Sequence, residues 1–326
     1  MKTTLVTGAT GLIGFNIVRR LTQEGRTVRA LARNPERARK ILPPECEVLP
    51  GDVTEPESLE RAMDGADVVY HAAGLPEQWL RDPGLFQRVN VEGTRNMIEA
   101  ALRSGVKKFL YTSTIDVFQA DIGAAYDESV IDEAPKGTPY ERSKQDADRL
   151  VAAALERGLP AVFLHPSGVY GPGPATSPGL NDFFVDMYKG KVPMLMPGGI
   201  PVVYSEDIAR GYMLAEKKAQ VGSRYILSEK YYSLVEIARI VADEIGKKKI
   251  PPVMPRWFAR AFAHAGEAVA TVIKKPPLLP VGQMHFMLWE AKPRSDRAQK
   301  ELGWEPLEFR EGVRRSLAFL RESGRL

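Results

Sequence analysis

Residues 7–14 read Thr-Gly-Ala-Thr-Gly-Leu-Ile-Gly, and this glycine-rich stretch decides the fold. It directly follows a short, β-branched apolar run and opens a stretch with helical periodicity. Its glycines suit a tight turn, a close approach of backbone to phosphate, and close packing of a helix on a strand. The helix N-terminus adds unpaired N–H donors and a positive dipole end. We therefore predict a dinucleotide-binding loop whose pyrophosphate contacts are Gly8, Thr10, Gly11, Leu12, Ile13 and Gly14.

The first half of the chain alternates short apolar runs with longer helical patterns, which is typical of βαβ units. Because parallel crossovers are right-handed, we predict an α/β fold with a Rossmann-type doubly wound parallel sheet. The predicted strands are Thr3–Thr7, Thr27–Ala32, Glu45–Leu49, Val68–His71, Phe109–Thr112 and Ala161–His165. The predicted helices are Leu12–Glu24, Pro56–Met63, Leu85–Ser104 and Tyr140–Arg157.

The composition changes after His165, where residues 167–179 form a loop rich in proline and glycine. Later segments mix helical patterns with short apolar runs at Val202–Tyr204 and Tyr225–Leu227. We therefore predict a NAD(P)-binding domain over residues 1–165 and a smaller C-terminal α/β substrate lobe over residues 166–326. Some segments of that lobe are expected to return to the sheet.

The composition excludes several classes of protein. The 45 basic and 41 acidic residues are spread along the chain, and a formal charge of +4 is too small to predict nucleic-acid binding. Cys46 is the only cysteine, which excludes an intramolecular disulfide and a cysteine-based metal site, and we predict no metal. The first residues look like a strand rather than a secretory signal, so we expect a cytoplasmic protein.

Cofactor choice is predicted from the end of the second strand, where a carboxylate would accept hydrogen bonds from a ribose 2′-hydroxyl. No carboxylate occurs over residues 28–34. Arg33, followed by Asn34 and supported by Arg37 or Lys40, offers donors suited to a 2′-phosphate. The competing interpretation of these basic residues is a solvated helix face. We predict that NADP(H) is favoured over NAD(H).

Two further segments follow later strands and are predicted to line the cofactor. Asp52, with Val53, comes after the third strand and is placed to accept from the adenine amino group. Ala72, Ala73 and Gly74 follow the fourth strand, where small residues allow the dinucleotide to lie against backbone. Each segment alone is also compatible with an ordinary strand–helix junction.

A catalytic group is indicated by Tyr140 and Lys144, which lie one helical turn apart on one face. An adjacent ammonium favours the phenolate, so we expect Lys144 to lower the pKa of Tyr140 and to reach the nicotinamide ribose. Thr114 lies in a hydroxyl cluster at the carboxyl end of the fifth strand and is predicted to bind the substrate oxygen. Ser113 is the reserve candidate, and Thr112 is assigned to the backbone.

These segments together resemble the extended short-chain dehydrogenase/reductases. The resemblance is carried by TGATGLIG (7–14), HAAG (71–74), VNVEGT (89–94), YTST (111–114), YERSK (140–144) and HPSGVYGPG (165–173). It implies that Thr114, Tyr140 and Lys144 are catalytic, that Asn90 is structural, and that Pro166, Ser167 and Val169 contact the cofactor. Thr114 departs from a more common serine. His165 departs from a more common arginine, and we expect it to be buried or to support a loop.

The reaction class stays open among reductases or dehydrogenases, sugar epimerases or dehydratases, and non-catalytic dinucleotide sensors. Asp116 lies near Thr114, but the Asp-Glu pair usual in dehydratases is absent. The later segments also resemble the 3β-hydroxysteroid dehydrogenase and dihydroflavonol reductase-like branch, and they are rich in apolar residues: Phe183, Phe184, Met187, Tyr188, Met194, Leu195 and Met196. We predict an NADP(H)-dependent oxidoreductase that interconverts a ketone or aldehyde and an alcohol on an apolar substrate, with cyclic and steroid-like compounds as candidates.

Two interactions with larger partners are also predicted. Residues 255–275 combine aromatic side chains with flanking Arg256, Arg260, Lys274 and Lys275, which indicates weak contact with a membrane surface. The helices at Leu85–Ser104 and Tyr140–Arg157 are expected to form the four-helix interface of a homodimer, as the resemblance implies.

Overall fold

The computed structural model describes residues 2–174 and 179–326. The strands in chain order are β1 Thr3–Thr7, β2 Thr27–Ala32, β3 Glu47–Pro50, β4 Val68–His71, β5 Lys108–Thr112, β6 Ala125–Tyr126, β7 Ala161–Pro166, β8 Gly168–Tyr170, β9 Gly199–Tyr204, β10 Arg224–Leu227, β11 Lys230–Ser233 and β12 Lys292–Pro293. The helices are α1 Leu12–Gln23, α2 Pro35–Ile41, α3 Pro56–Met63, α4 Gly84–Phe86, α5 Gly93–Ser104, α6 Pro139–Leu155, α7 Leu180–Lys189, α8 Ser205–Lys218, α9 Leu234–Glu244, α10 Arg256–Ile273, α11 Val281–Trp289 and α12 Phe309–Glu322.

The central sheet has seven parallel strands in the order β10-β7-β5-β4-β1-β2-β3. The chain runs outward from β1 in one direction through β2 and β3, and in the other through β4, β5 and β7. This reversal between β1 and β4 creates a crevice at the carboxyl ends of the strands, where open α/β sheets bind ligands. The predicted Rossmann-type doubly wound sheet is confirmed.

Both faces of the sheet are covered by helices, as the nearly continuous apolar strands require. Neighbouring strand residues point to opposite faces, so Val6 joins the core beneath α1 and α8, and Leu5 joins the core beneath α3, α5 and α6. Both side chains are fully buried. The two cores hold the strand ends rigidly, and the functional loops extend from those ends.

Two smaller sheets lie outside the central sheet: β11-β9-β8, built by the C-terminal part of the chain, and β12-β6, in which a C-terminal strand pairs with Ala125–Tyr126 of the first half. Phe184, Met187 and Leu195 are buried in the core between β9 and helices α7, α9 and α12, whereas Tyr188 is exposed. Most of the apolar residues noted in this lobe therefore serve as core. β10 does not join these small sheets but pairs in parallel with β7.

Some predicted boundaries differ from the structure. β3 begins two residues late, because Cys46 closes a turn by donating its N–H to the carbonyl of Pro43 (3.0 Å). The single helix predicted over Leu85–Ser104 is instead α4, a π-helical turn at Gln87–Glu92, and α5. The turn carries Asn90, whose Oδ1 accepts from Leu75 N (2.8 Å) and whose Nδ2 donates to Ser143 Oγ (2.9 Å). Asn90 thus has the structural role that the resemblance implies.

Across residues 2–174 and 179–326, no helix has both the length and the apolar character needed to cross a bilayer.

Candidate active site

The glycine-rich loop joins β1 to α1 in a tight turn. Gly8 has a φ of +67°, and its carbonyl accepts from Gly11 N at 2.9 Å. A Cβ at Gly8 would lie 2.4 Å from the carbonyl oxygen of Ala72, and one at Gly14 would lie 2.3 Å from the carbonyl oxygen of Gly8. The backbone therefore requires glycine at both positions, as the sequence pattern predicted.

The N-terminus of α1 has the features of an anion site. Its N-cap is Gly11, which offers no side-chain cap, and its first turn carries no acidic residue. The first-turn amides, which include those of Leu12 and Ile13, therefore keep their donors for a ligand. Together with the close approach that Gly11 allows, this arrangement fits a dinucleotide pyrophosphate.

Two alanine substitutions in the glycine-rich loop are expected to affect different properties, one the stability of the fold and the other the affinity for the cofactor. A Cβ at Gly14 would collide with backbone, so we expect Gly14→Ala to lower the free energy of unfolding by about 1–3 kcal/mol. A Cβ at Gly11 would lie 3.3 Å from the carbonyl oxygen of Gly8, a tight contact that requires only a small local shift, so Gly11→Ala should lose less stability than Gly14→Ala but weaken cofactor binding about tenfold or more. Urea denaturation and equilibrium cofactor titration measure the two effects. Equal losses of stability in both variants would contradict this assignment.

The predicted adenine-side residues lie after β3. Asp52 Oδ1 accepts from both the N–H and the hydroxyl of Thr54, each at 2.9 Å, and Oδ2 makes no hydrogen bond within the described chain. Val53 is buried and packs against α5, where a Cβ on Gly93 would lie 2.7 Å from Val53 Cγ2. Asp52 is thus held in place with one carboxylate oxygen left for a ligand.

The segment 72–74 is fixed by His71 at the end of β4. His71 Nδ1 lies 2.8 Å from Thr7 Oγ1, and His71 Nε2 lies 3.1 Å from Thr94 Oγ1. The Ala73 N–H donates to Thr7 Oγ1 at 3.2 Å. Burial lowers the pKa of His71 to about 3, so the ring stays neutral at physiological pH. His71 therefore anchors the strand end against which the predicted cofactor would lie.

The residues predicted to select the cofactor lie at the end of β2. Arg33 is exposed there, directly before α2. Asn34 is the N-cap of α2, and its Oδ1 accepts from Arg37 N at 2.9 Å. The Asn34 side chain therefore has a structural task, which the sequence analysis did not anticipate. A cofactor contact by either residue stays a prediction.

A fourth predicted cofactor segment covers the N-terminus of α1 from the other side. Pro166 ends β7, Val169 lies in β8, and the Ser167 hydroxyl is buried without a hydrogen-bond partner among the described residues. Asn16 Nδ2 donates to the carbonyls of Leu12 and Pro172, both at 2.8 Å, which fastens this segment to α1. Residues 175–178 of the predicted loop lie outside the described residues. An unpartnered buried hydroxyl at the carboxyl end of β7 fits a polar ligand.

The predicted catalytic residues meet at the carboxyl end of β5. α6 begins at Pro139 rather than Tyr140 because Thr138 and Glu141 form a capping box, with Glu141 N donating to Thr138 Oγ1 at 3.1 Å. This cap places Tyr140 in the first turn of α6, where its phenol lies near enough to the Thr114 hydroxyl for that hydroxyl to act toward a lower pKa of the phenol. Lys144 Nζ donates to the carbonyl of Thr112 at 2.8 Å. The structure thus brings Thr114, Tyr140 and Lys144 together.

The electrostatics of this group differ from the expectation in one respect. Burial, reinforced by the carboxylate of Asp116, raises the pKa of the Tyr140 phenol well above its usual value, so the predicted lowering by Lys144 is wrong for this structure. Burial also lowers the pKa of Lys144 to about 8, although Asp148 and Asp116 act in the opposite direction. Desolvation dominates the pKa of the phenol, and Tyr140 is held in its neutral form.

Asp116 is a polar neighbour to which the sequence analysis gave no role. Its Oδ2 accepts from Thr114 Oγ1 at 2.9 Å, and its Oδ1 is buried without a partner among the described residues. Burial, together with the nearby Glu141 carboxylate, raises the pKa of Asp116 to about 7. The position of Asp116 two residues after Thr114 was the sequence signal that could have indicated this contact. The Thr114 hydroxyl is therefore oriented by a carboxyl group that titrates near neutrality.

A buried polar network lies behind Thr114. Ser113 Oγ donates to Asp148 Oδ2 (2.5 Å), and Asp148 Oδ1 pairs with Arg224 Nη1 (2.7 Å). Arg224 Nη1 also lies 3.4 Å from His165 Nε2, and His165 Nδ1 donates to the carbonyl of Thr114 (3.0 Å). His165 is buried and supports the strand end, as expected. Ser113, the reserve catalytic candidate, is engaged by Asp148.

Comparisons with known proteins agree with this site. A family model described as the NAD dependent epimerase/dehydratase family matches residues 4–227, which include the glycine-rich loop and the predicted catalytic residues. The chain is similar to sterol demethylase protein B of Methylococcus capsulatus, with 26% identity over 325 residues and 99% of each chain covered. It is also similar to a 3 beta-hydroxysteroid dehydrogenase/Delta 5-->4-isomerase of Mycobacterium tuberculosis, with 28% identity over 93% of this chain and 86% of the relative.

The solved structure of UDP-glucose 4-epimerase from Thermotoga maritima shares the fold, with a TM-score of 0.79, 21% identity, and coverage of 98% of this chain and 99% of the epimerase. The family model covers more than half of the chain, and the geometry of the glycine-rich loop accords with it. The chain belongs to the NAD dependent epimerase/dehydratase family.

Proposed function

We propose that the protein is an NADP(H)-dependent oxidoreductase that interconverts a ketone or aldehyde and an alcohol on an apolar substrate. The observation that carries this proposal is the proximity of Tyr140 to Thr114, beside Lys144 and at the carboxyl edge of the sheet. The glycine-rich loop opens at the same edge of the sheet. A proton-transferring phenol and a dinucleotide site would then face one substrate.

In this proposal, the residues of the chain handle the oxygen of the substrate. Thr114 Oγ1 and the Tyr140 hydroxyl bind the carbonyl oxygen, and Tyr140 donates its proton to that oxygen during reduction. A reduced nicotinamide dinucleotide held by the glycine-rich loop would supply hydride for the carbonyl carbon when bound, and the hydride together with the Tyr140 proton would give the alcohol. The Lys144 ammonium stabilises the phenolate that remains. Because burial holds Tyr140 as a phenol, its proton is available for the substrate oxygen.

An apolar substrate is supported by what lies next to the site. α11 begins beside the N-terminus of α6, since a Cβ on Gly282 would lie 3.1 Å from Thr138 Cγ2. α11 is rich in apolar residues and packs with Met284 and Leu288 in an apolar cluster. The relatives named for steroid and sterol chemistry also support this substrate class. Several arginines of the lobe are engaged by carboxylates rather than left for a diphosphate: Arg210 with Asp207, Arg310 with Asp243 and Glu244, and Arg325 with Asp182.

The cofactor preference is tested at Arg33. In Arg33→Gln, we expect NADP(H) affinity to fall about tenfold or more, because a charge-assisted contact to the 2′-phosphate is lost, while NAD(H) affinity changes little. Arg61→Gln is the matched control, since Arg61 is an exposed arginine on α3. Equilibrium titration with both cofactors measures the effect. Tighter binding of NAD(H) than NADP(H) by the parent protein would refute the preference.

The reaction is tested by following the absorbance of reduced cofactor against a panel of apolar ketones and aldehydes, with nucleotide sugars in parallel. Net cofactor consumption with a ketone supports the oxidoreductase. Interconversion of nucleotide sugars without net consumption would instead support the second candidate, an epimerase, which the fold of the Thermotoga maritima enzyme favours. Tight cofactor binding with no turnover in either arm would leave a dinucleotide sensor.

The oligomeric state and location are further parts of the proposal. We propose a homodimer through α5 and α6, where Leu102, Leu150 and Leu155 are half-buried in the single chain. Sedimentation velocity tests it, and a monomer at micromolar concentration would oppose it.

The lone cysteine, Cys46, is buried, and burial raises its pKa to about 12. An inert thiol of this kind suits the reducing cytoplasm, and cell fractionation tests this location.

A further inference from the structure

Helix α10 is packed in the reverse of the usual manner. Its buried positions are small alanines, Ala259, Ala263 and Ala270. Its large apolar side chains point away from the protein instead, and we call them the apolar stripe: Phe258, Phe262, Val269, Val272 and Ile273. Globular proteins normally bury the large side chains of an amphipathic helix against the core. The unusual packing of α10 leaves a continuous row of apolar groups in water.

The apolar stripe is too long to be scattered surface exposure. Its members recur at helical spacing along the whole of α10 and are between 39% and 79% exposed. Trp257 extends the apolar surface at the beginning of the helix, and Leu278 lies just beyond its end. A contiguous exposed apolar surface of this kind marks an interaction site.

The polar side of α10 carries positive charge and lines a cavity. A cavity of about 390 Å³ lies between α10 and α11. Its polar lining includes Arg256, Arg260 and His264 of α10 and His285 of α11, and its apolar lining includes Met284 and Leu288. No carboxylate is among the described residues that line it, although Arg256 pairs with Glu290 at 2.5 Å. Such a cavity favours an anionic group with apolar substituents.

The charges around the apolar stripe identify the surface that it fits. Lys274 and Lys275 directly follow the last residues of the apolar stripe. Arg260 lies between Phe258 and Phe262 in the sequence. The acidic residue of α10, Glu267, is used within the protein, because its Oε1 accepts from Val281 N at 2.8 Å. A second copy of the chain would bring the same excess of cations to the contact. An anionic surface complements these charges.

We propose that α10 binds the surface of a membrane that contains anionic phospholipid. The apolar stripe enters the boundary between headgroups and acyl chains, Trp257 lies at the level of the headgroups, and the basic cavity receives a lipid phosphate. Lys274 and Lys275 add attraction that depends on ionic strength. The site binds at the surface and does not span the bilayer. This inference does not depend on the proposed reaction, because vesicle binding requires no turnover.

Vesicle flotation tests the proposal with the full chain. We expect the protein to float with phosphatidylcholine vesicles that contain phosphatidylglycerol, to float poorly with phosphatidylcholine alone, and to be released by high salt. Phe258→Ser with Phe262→Ser should lower the bound fraction about tenfold or more, because two exposed aromatic groups that would enter the membrane are lost. Arg260→Gln with Lys274→Gln and Lys275→Gln should remove most of the preference for phosphatidylglycerol, because three cations beside the apolar stripe are lost.

Matched controls are available elsewhere on the surface. Val221→Ser removes an exposed apolar side chain, and Lys248→Gln with Lys249→Gln removes exposed cations; both should bind vesicles as the parent does. Thermal melting verifies that every variant is folded. Failure of the parent to float with anionic vesicles would overturn the proposal. So would sedimentation showing that the stripe variant turns a dimer into a monomer while vesicle binding is unchanged, because the stripe would then be a contact between copies.

Discussion

Replacing Tyr140 with phenylalanine is expected to lower kcat by about three orders of magnitude and to leave cofactor affinity near that of the parent. The substitution removes the hydroxyl that lies near Thr114 and, in the proposed mechanism, protonates the substrate oxygen. The ring contact with Phe86, with centroids 6.1 Å apart, remains available to phenylalanine, so the fold should be kept. Steady-state assays with the best substrate of the panel, together with cofactor titration, measure both effects.

The matched control for this experiment is Tyr188→Phe. Tyr188 is an exposed tyrosine of α7, and its hydroxyl has no role in the proposed site. We expect kcat of this variant to equal that of the parent. If Tyr140→Phe keeps a tenth or more of the parent kcat, Tyr140 does not carry the proton, and the assignment of the site must be abandoned.

Replacing Arg224 with methionine is expected to lower the free energy of unfolding by about 3–5 kcal/mol. The guanidinium pairs with Asp148, whose side chain is 3% exposed, and stacks 4.0 Å from the centroid of the Phe163 ring. Methionine fills part of the volume but leaves the Asp148 carboxylate buried without its cation. Urea denaturation at neutral pH measures the loss.

Arg157→Met provides the comparison, because Arg157 also binds a carboxylate with both nitrogens, at 2.6 and 2.8 Å from Glu99. That pair is exposed and screened by solvent, so its loss should cost less than about 1 kcal/mol. Adding Asp148→Asn to Arg224→Met should restore part of the stability, since the unpaired charge is then removed. Equal losses from Arg224→Met and Arg157→Met would show that the buried network contributes nothing beyond a surface pair.

Much of the fold was predictable from the sequence because the signals are local. The turn at Gly8, the strand alternation and the helix that carries Tyr140 and Lys144 depend on residues within a few positions of one another. The missed start of α6 was also local, since Thr138 and Glu141 stand at capping-box spacing. The π-helical turn at Gln87–Glu92 could not be predicted from the sequence, because it depends on the distant partners of Asn90.

The supporting part of the site depends on long-range contacts. Asp148 lies one turn after Lys144 on the same face of α6, so its approach to the site could have been predicted from helical spacing. Its partner Arg224 is on a strand far along the chain, and no local pattern indicates that contact. The burial that raises the pKa of Tyr140 likewise arises from packing rather than from the adjacent sequence.

β10 also has a consequence for how the protein is made. On the ribosome, β7 emerges well before residues 224–227, and until they arrive its outer edge lacks the hydrogen bonds that β10 supplies. A nascent chain that pauses in this interval exposes the apolar edge strand Ala161–Pro166, which is a template for aggregation. We therefore expect a truncated protein ending at residue 165 to accumulate in inclusion bodies. Synthesis of β10 is expected to lower the tendency of the nascent chain to aggregate, because β10 then pairs with the edge of β7.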